Sequence, residues 1–140
     1  MIDVGEKKIT ERYAEAQAFV KLNRDVIQRI EEKTIPKGDV MELARIAGIL
    51  AAKKTSDLIP LCHNISIDHV AMDLQLKDNG VMIKSSVRAS AKTGVEMEAL
   101  VAASTAALAI YDMCKMFGQR IEITDVFLLK KSGGKSDFLR

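Results

Sequence analysis

One long apolar segment of the chain carries a single line of polar side chains. Residues 94–117 predict a helix that Gly118 would end, and within them residues 99–110 are almost all Ala, Leu, Val and Ile. At about 100° per residue, Glu98 and Asp112 fall on the same face roughly 40° apart, with Thr105 between them. A carboxylate in so apolar a helix needs a partner or a wet cleft, so this line is a candidate site.

Asp112 also has a cationic neighbour on the predicted helix. Lys115 lies three residues further on, which places its ammonium group beside the carboxylate. Such a pair can have its two pKa values pushed apart, as general acid–base catalysis requires. An ordinary ion pair on a helix surface and a contact with a partner subunit are equally good interpretations of Asp112 taken alone.

A second group of polar side chains lies in residues 53–64, which hold two lysines, two hydroxyl groups, the thiol of Cys62 and the imidazole of His63. A cysteine and a histidine can form a nucleophilic pair. Adjacent side chains of an extended segment point to opposite sides, however, so we expect Cys62 to be a small buried residue instead. His63 could donate a hydrogen bond to a phosphate or could be a surface residue.

The chain contains two cysteines and two histidines, which are Cys62, Cys114, His63 and His69. They lack the paired spacing by which a short segment supplies two zinc ligands. Two cysteines are also too few for a disulfide framework. We therefore expect no metal site, and we expect the thiols to be reduced.

Two further segments could bind an anion. Lys92, Thr93 and Gly94 precede the long helix, whose free backbone N–H groups would suit an anion, although capping by Thr93 or Gly94 is the simpler interpretation. Residues 130–136 are basic and rich in glycine, but Leu129 stands where a P-loop needs glycine. That tail could fold over an anionic ligand. From its own residues alone, the tail is expected to be solvated and disordered.

The first part of the chain predicts one strand and two helices. Residues 10–22 alternate between polar and apolar side chains, which predicts a half-buried strand, with a helix as the alternative because of the alanines. Asn23 could cap a helix that runs to about Lys33, and Asp39 could cap a second helix that ends near residues 53–54. The apolar side chains of this second helix recur at helical spacing, at Leu43, Ile46, Ala47 and Leu50.

The remainder predicts a hairpin, the long helix and a final strand. Residues 66–76 and 81–91 alternate on either side of Asp78-Asn79-Gly80, a strong hairpin signal, and residues 121–130 alternate again. The order predicts an α+β fold that is ferredoxin-like, β-α-β-β-α-β, with an extra helix in the first crossover. We expect an antiparallel sheet with the helices packed on one face.

The composition limits the kind of protein. A length of 140 residues suits a single domain spanning residues 1–140, and 48% hydrophobic residues exclude a disordered chain. A net charge of +2 disfavours a binder of nucleic acid or anionic membranes, and 4% aromatic residues supply few stacking partners for bases. The charged N-terminus is unlike a signal peptide, and the longest apolar stretch is too short to span a bilayer. We therefore expect a cytoplasmic protein.

Several ordered runs of unusual composition extend almost from end to end of the chain. They are 37–40 (KGDV), 44–49 (ARIAGI), 51–55 (AAKKT), 57–63 (DLIPLCH), 92–100 (KTGVEMEAL), 110–115 (IYDMCK) and 131–136 (KSGGKS). Together they resemble the cyclic pyranopterin monophosphate synthase family, the C proteins of molybdenum-cofactor biosynthesis. One departure is Asn64, where the family usually has Pro, and this should alter the rigidity of the loop more than its chemistry.

The resemblance implies an activity. The substrate would be (8S)-3′,8-cyclo-7,8-dihydroguanosine 5′-triphosphate, which a radical enzyme makes from GTP. The protein would be a lyase that converts this substrate to cyclic pyranopterin monophosphate and releases pyrophosphate. A triphosphate needs cations, and the loops and the tail contain a local excess of lysines that the net charge conceals.

The resemblance also implies roles for individual residues. It implies no metal ligand and no tightly bound cofactor, although Mg²⁺ could accompany the substrate phosphates. The implied catalytic residues are Asp112, Lys115, Lys37 and Lys131. The implied substrate-binding residues are Leu61, Cys62, His63, Met97, Glu98, Arg45, Lys53 and Glu96.

Members of this family assemble as hexamers that are trimers of dimers, and their active sites lie at subunit interfaces. The resemblance therefore implies a homo-oligomer. Neither nucleic acid nor a membrane is implied as a partner. The residues alone leave two other classes open: a non-catalytic nucleotide-binding or regulatory module with a ferredoxin-like fold, and an oligomeric structural protein whose long helix is an interface. The polar line on the long helix weighs against the second class.

Overall fold

The computed structural model describes residues 1–118 and 120–140. The strands in these residues are β1 (Thr10–Lys21), β2 (His69–Lys77), β3 (Gly80–Ala91), β4 (Glu122–Ser132) and β5 (Phe138–Leu139). The helices are α1 (Arg24–Glu31), α2 (Val40–Lys53), α3 (Thr55–Leu58) and α4 (Glu96–Cys114), and a short 3-10 turn, Lys115–Phe117, follows α4.

The five strands form one antiparallel sheet in the order β2-β3-β1-β4-β5. Helix α4 packs against β1, β3 and β4, and α2 packs against α4 and β2, so these helices lie on one face of the sheet. The crossover from β1 to β2 contains α1, α2 and the short α3. This architecture confirms the predicted ferredoxin-like α+β fold with an extra helix in the first crossover. The sequence did not predict α3 or the edge strand β5.

Strand β1 lies at the centre of the sheet and alternates as predicted. Ala14, Ala16 and Ala18 are fully buried on the side of α4, while Tyr13 and Glu15 belong to the opposite face. The backbone of β1 pairs with β3 on one side and with β4 on the other. Because both edges are hydrogen-bonded, a strand forms here although alanine favours a helix.

Helix α2 presents its large apolar side chains to the outside. Leu43, Ile46 and Leu50 are each about half exposed, whereas the buried face consists mainly of alanines and Gly48. A Cβ atom on Gly48 would lie only 3.0 Å from the carbonyl oxygen of Ala102 in α4. The close approach of the two helices therefore requires small residues on the inner face, and the apolar stripe seen in the sequence faces outward.

Helix α4 is the core helix of the fold. By length and composition the segment Glu96–Phe117 could cross a membrane, but five of its alanines are buried among the sheet and α2, as in the core of a soluble protein. The helix begins after Val95, whose side chain makes no capping hydrogen bond, so the predicted capping by Thr93 or Gly94 is wrong. Two glutamates in the first turn complement the positive end of the helix dipole instead.

The C-terminal tail is ordered, because β5 pairs with the end of β4. Between these strands Gly133 has a positive φ of 95°, and its carbonyl oxygen accepts a hydrogen bond of 2.7 Å from Oγ1 of Thr10. A Cβ atom at position 133 would collide with the carbonyl group of Glu11, so this turn requires glycine. The expectation of a disordered tail is therefore wrong, since long-range contacts with β1 hold the turn in place.

Two predicted strands differ from the observed ones in detail. Strand β2 begins at His69 rather than at residue 66. The pairing of β4 with β1 is interrupted by two register shifts, and Asp125 in β4 has a positive φ of 53°. The uniform alternation expected across residues 121–130 is therefore wrong, because each shift moves the following side chains to the other face.

Candidate active site

A cavity of about 280 Å³ opens at the N-terminal end of α4. The loop after α3 and the first turn of α4 supply much of its wall, and Ile2, Val4 and Lys7 of the N-terminal segment complete it. The cavity brings together six of the residues for which the family resemblance implies substrate binding, namely Leu61, Cys62, His63, Glu96, Met97 and Glu98.

Glu98 is the buried carboxylate of this cavity, with only 4% of the residue exposed. Burial raises the pKa of its carboxyl group, and the negative charge of Glu96 raises it further. A hydrogen bond from its own backbone N–H opposes this change only in part. Glu98 therefore keeps its proton to a higher pH than an exposed glutamate does, and it can then donate a hydrogen bond as well as accept one.

Cys62 lines the same cavity as His63, and it is half-buried rather than a buried filler as expected. The reason is that the loop opens onto the cavity instead of packing into the core. Burial raises the pKa of the Cys62 thiol, and the charge of Glu98 raises it further. An activated nucleophile needs the opposite change, so Cys62 is suited to contact a ligand rather than to attack it.

Lys131 adjoins the cavity through an ion pair with Glu96, in which Nζ lies 3.2 Å from Oε1. Gly94 makes room for this pair, since a Cβ atom there would collide with the carboxylate of Glu96. Lys131, Glu96 and Gly94 also line a small second cavity of about 80 Å³, together with the glycine-rich turn before β5. The ordered tail thus carries Lys131 and its neighbouring cations to the start of α4.

Asp112 lies at the other end of α4, between two ammonium groups. Nζ of Lys37 lies 2.9 Å from its Oδ2 and also donates to its backbone carbonyl at 3.0 Å, and Nζ of Lys115 lies 3.0 Å from its Oδ1. Hydrogen bonds from the two lysines lower the pKa of the Asp112 carboxyl group. Lys115, the i,i+3 neighbour, was expected from the helical spacing. Lys37 reaches the site from the turn before α2, so three side chains rather than two form this group.

The two groups of residues are far apart within one chain. Glu96 and Asp112 are separated by sixteen helical residues, which at about 1.5 Å per residue is about 24 Å along the axis. The line through Glu98, Thr105 and Asp112 is therefore not one site, because residues on the same face can lie at opposite ends of a long helix. One end of the line belongs to the cavity that holds Glu96 and Glu98, called the acidic cavity below. The other end belongs to the triad of Lys37, Asp112 and Lys115.

The MoaC family model matches residues 1–134 of the chain. The chain belongs to the MoaC family. It is similar to the protein named cyclic pyranopterin monophosphate synthase of Peptoclostridium acidaminophilum, with 48% identity over 136 residues that cover 97% of this chain and 87% of the relative. The protein of the same name from Clostridium botulinum is 51% identical over 142 residues, covering 99% and 89%. Molybdenum cofactor biosynthesis protein 1 of Drosophila melanogaster is 51% identical over 142 residues, covering 100% of this chain but 25% of that protein.

Two residues predicted to bind substrate lie outside both groups in this MoaC chain. Nε of Arg45 lies 3.4 Å from a carboxylate oxygen of Glu42, one turn away on α2. Lys53, at the end of α2, lines another cavity of about 420 Å³, which is also lined by Ile65 and by residues 67–70 at the start of β2. Neither side chain is brought to the acidic cavity or to Asp112 by the fold of a single chain.

The fold of the MoaC chain brings to the cavities two cations that its sequence pattern did not indicate. Lys7 lines the larger cavity, and Arg12 lines the smaller one beside Lys131. The guanidinium of Arg12 is held by hydrogen bonds to the carbonyl groups of Ala91 (3.4 Å) and Lys92 (3.1 Å). Both lie far in sequence from most of the other site residues. The pairing of β1 with β3 and β4 brings Arg12 near, whereas Lys7 reaches the cavity with the N-terminal segment.

No group of three His, Cys, Asp or Glu side chains is arranged to hold a metal ion within residues 1–118 and 120–140 of the MoaC chain. Cys114 is fully buried in the core, and burial raises the pKa of its thiol to about 11. Such a thiol is neutral at physiological pH and packs as a small apolar side chain.

Proposed function

We propose that this chain converts (8S)-3′,8-cyclo-7,8-dihydroguanosine 5′-triphosphate to cyclic pyranopterin monophosphate, with release of pyrophosphate. Membership of the MoaC family supports the proposal, as do relatives of about half-identical sequence whose name contains the product. The structural observation that carries it is the carboxylate of Asp112 held between the ammonium groups of Lys37 and Lys115.

The Asp112 triad supplies what the reaction needs. Opening and rebuilding the purine ring requires proton transfers at several atoms, and closing a cyclic phosphodiester expels pyrophosphate. We assign the proton transfers to Asp112 and Lys115, which form a close acid–base pair. Lys37 would stabilise negative charge that develops on the phosphates, because an ammonium group fixed by two contacts need not reorganise during the reaction.

The acidic cavity suits the base of such a substrate. A guanine-derived ring has N–H and amino groups that donate hydrogen bonds, and the carboxylates of Glu96 and Glu98 can accept them. A protonated Glu98 can also donate to a ring nitrogen or carbonyl, as its raised pKa permits. We therefore assign base recognition to this cavity, with His63, Cys62 and Met97 as further contacts.

We further propose that the complete active site forms between two copies of the chain. One substrate cannot reach both ends of α4, which are about 24 Å apart, so the cavity of one chain must face the triad of another. Exposed apolar side chains on α2 and α4 favour self-association; Leu43, Ile46, Leu50 and Leu108 are 45–58% exposed. A homohexamer, a trimer of dimers, is the assembly that the family resemblance implies.

The remaining proposals concern the setting of the reaction. We propose a cytoplasmic enzyme that receives its substrate from a radical enzyme acting on GTP. We also propose that it uses no tightly bound cofactor and that Mg²⁺ enters only with the substrate phosphates. Lysines near the two halves of the site would share the neutralisation of the triphosphate with that ion.

Turnover of the authentic substrate tests the proposal. Purified protein is incubated with the cyclised dihydroguanosine triphosphate, and the pterin product and pyrophosphate are quantified together. We expect the two products to form in equal amounts. Binding of the substrate without turnover would contradict the proposal and would favour the non-catalytic nucleotide-binding module.

A further inference from the structure

An N-terminal strap, residues 2–7, forms part of the wall of the acidic cavity. The backbone N–H of Gly5 donates to Oδ1 of Asp3 at 2.8 Å, and that of Lys7 donates to the carbonyl group of Val4 at 3.0 Å. These two bonds fold the strap into a compact turn. The first bond joins Gly5 to Asp3, the chain neighbour of Ile2, so a contact that fixes Gly5 also restricts the position of Ile2.

Two side chains from the rest of the fold hold this strap by its carbonyl groups. Nε2 of His63 lies 2.7 Å from the carbonyl oxygen of Ile2. Nζ of Lys92 donates to the carbonyl oxygen of Gly5 at 2.9 Å. Lys92 directly follows β3, and its own carbonyl accepts a hydrogen bond from Arg12 in β1, so the sheet sets its position.

The contact with the strap determines which nitrogen of His63 carries a proton. A carbonyl oxygen can only accept a hydrogen bond, so Nε2 must be the donor. In the neutral imidazole Nδ1 is then the acceptor and is the nitrogen left for a substrate. The titratable groups that share the cavity with the ring are Lys7 of the strap, Cys62 of the same loop, and Glu96 and Glu98 of α4.

We propose that the strap is a positioning element, anchored by Lys92, whose Ile2 carbonyl holds His63 in the Nε2–H tautomer so that Nδ1 accepts a hydrogen bond or proton from the substrate. The proposal rests on the proposed function, because that function assigns the cavity to the substrate. Lys92 is a positioning residue, since it acts on His63 through the strap.

The tautomer of His63 can be measured without any substrate. The chain has only two histidines, so full-length protein with ¹⁵N-labelled histidine gives two sets of ring signals, which His69→Gln assigns. At a pH where the rings are neutral, we expect His63 to be in the Nε2–H form. A dominant Nδ1–H form would overturn the proposal, whatever the activity of the protein proves to be.

Variants of Lys92 test the anchor. We expect Lys92→Met to shift His63 towards a mixture of tautomers and to lower kcat about tenfold, part of the ~10²–10⁴ that a positioned acid or base contributes. Lys92→Arg keeps a cationic donor and should restore both values. Lys77→Met, at the far tip of the β2–β3 hairpin, removes an exposed lysine and is the matched control.

The possible outcomes distinguish the role of the strap from the proposed reaction. Wild-type values of kcat and of the tautomer ratio in Lys92→Met would overturn the role of Lys92. Failure of the wild-type protein to turn over the substrate would overturn the proposed function, while the ring signals of Lys92→Met and Lys92→Arg would still decide the role of the strap. A tautomer shift in Lys92→Met that Lys92→Arg reverses supports the proposal.

Discussion

The carboxylate of Asp112 is held ionised by its two lysine partners. Because hydrogen bonds from Lys37 and Lys115 lower its pKa, the ion pairs stabilise the folded chain above the unfolded pKa, and this is lost as the pH falls through the folded value. The side chain of Asp112 is 57% exposed, so water screens these pairs and their effect on stability is small. We therefore expect the triad to matter for the proposed reaction more than for the stability of the fold.

Replacement of Asp112 separates these two roles. We expect Asp112→Asn to reduce product formation by at least about 10²-fold, because a carboxamide keeps the shape but cannot carry the proton. The melting temperature should stay close to that of the wild type. Asp57→Asn, which removes an exposed carboxylate 3.8 Å from Lys54, is the matched control. Full turnover by Asp112→Asn would remove Asp112 from the mechanism.

Glu98 gives the opposite dependence of stability on pH. Its folded pKa is raised above the ordinary value of 4.5, so ionisation of Glu98 costs more in the folded chain than in the unfolded one. The folded state is therefore favoured at low pH, and that advantage is lost as the pH rises from the unfolded pKa through the folded pKa.

Glu98→Gln should be more stable than the wild type at neutral pH and no more stable at a pH well below 4.5. Each kcal/mol gained corresponds to a rise in Tm of about 3 °C for a chain of this size. Thermal unfolding across this pH range measures the difference, and Glu31→Gln on the exposed side of α1 is the control. An equal gain at both ends of the range would show that the pKa of Glu98 is not the cause.

The helices are joined by small residues rather than by interlocking large ones. The inner face of α2 is built from Ala44, Gly48, Ala51 and Ala52, and it meets the alanine face of α4. Gly48 lies at a close contact, between Met72 of β2 and the backbone of Ala102. This packing sets the distance between α2 and α4, and thereby the position of Lys37 at the turn before α2.

A larger residue at position 48 should separate these helices. We expect Gly48→Val to destabilise the fold by about 1–3 kcal/mol, since overpacking forces the backbone of α4 to move. Ala47→Val introduces the same β-branched residue at the neighbouring, less buried position and should cost less. Denaturant unfolding compares the two variants, and equal losses would place the tight contact elsewhere.

The elements themselves were predictable where local pattern and tertiary contacts agree. The alternation of β1 identified a strand, and the Asp78-Asn79-Gly80 turn identified the hairpin. The orientation of α2 was not predictable from its own sequence, because its large apolar stripe is normally the buried one. The ordered tail was also hidden, since its turn depends on contacts with Thr10 and Glu11 in a strand more than a hundred residues away.

The whole molecule divides its candidate site between the two ends of one helix. The resemblance of the runs identified most residues of both groups, and the helical spacing identified the partnership of Asp112 with Lys115. Rotation about the helix axis put Glu98 and Asp112 on one line, but the rise of about 1.5 Å per residue places them at opposite ends of α4. We infer assembly from two chains from the size of the proposed substrate rather than from any single contact.

Complementation between two defective chains tests this account most directly. Asp112→Asn leaves the acidic cavity intact, and Lys131→Ala leaves the triad intact. The two variants are co-expressed with different affinity tags, and oligomers that contain both are isolated by purification on each tag in turn. Each variant alone should be nearly inactive. Mixed oligomers should regain about a quarter of wild-type product formation, because about half of the two-fold interfaces in a randomly mixed oligomer join unlike chains. In each of those interfaces one of the two sites combines both intact halves. Mixed oligomers as inactive as their parents would contradict a site shared between two chains.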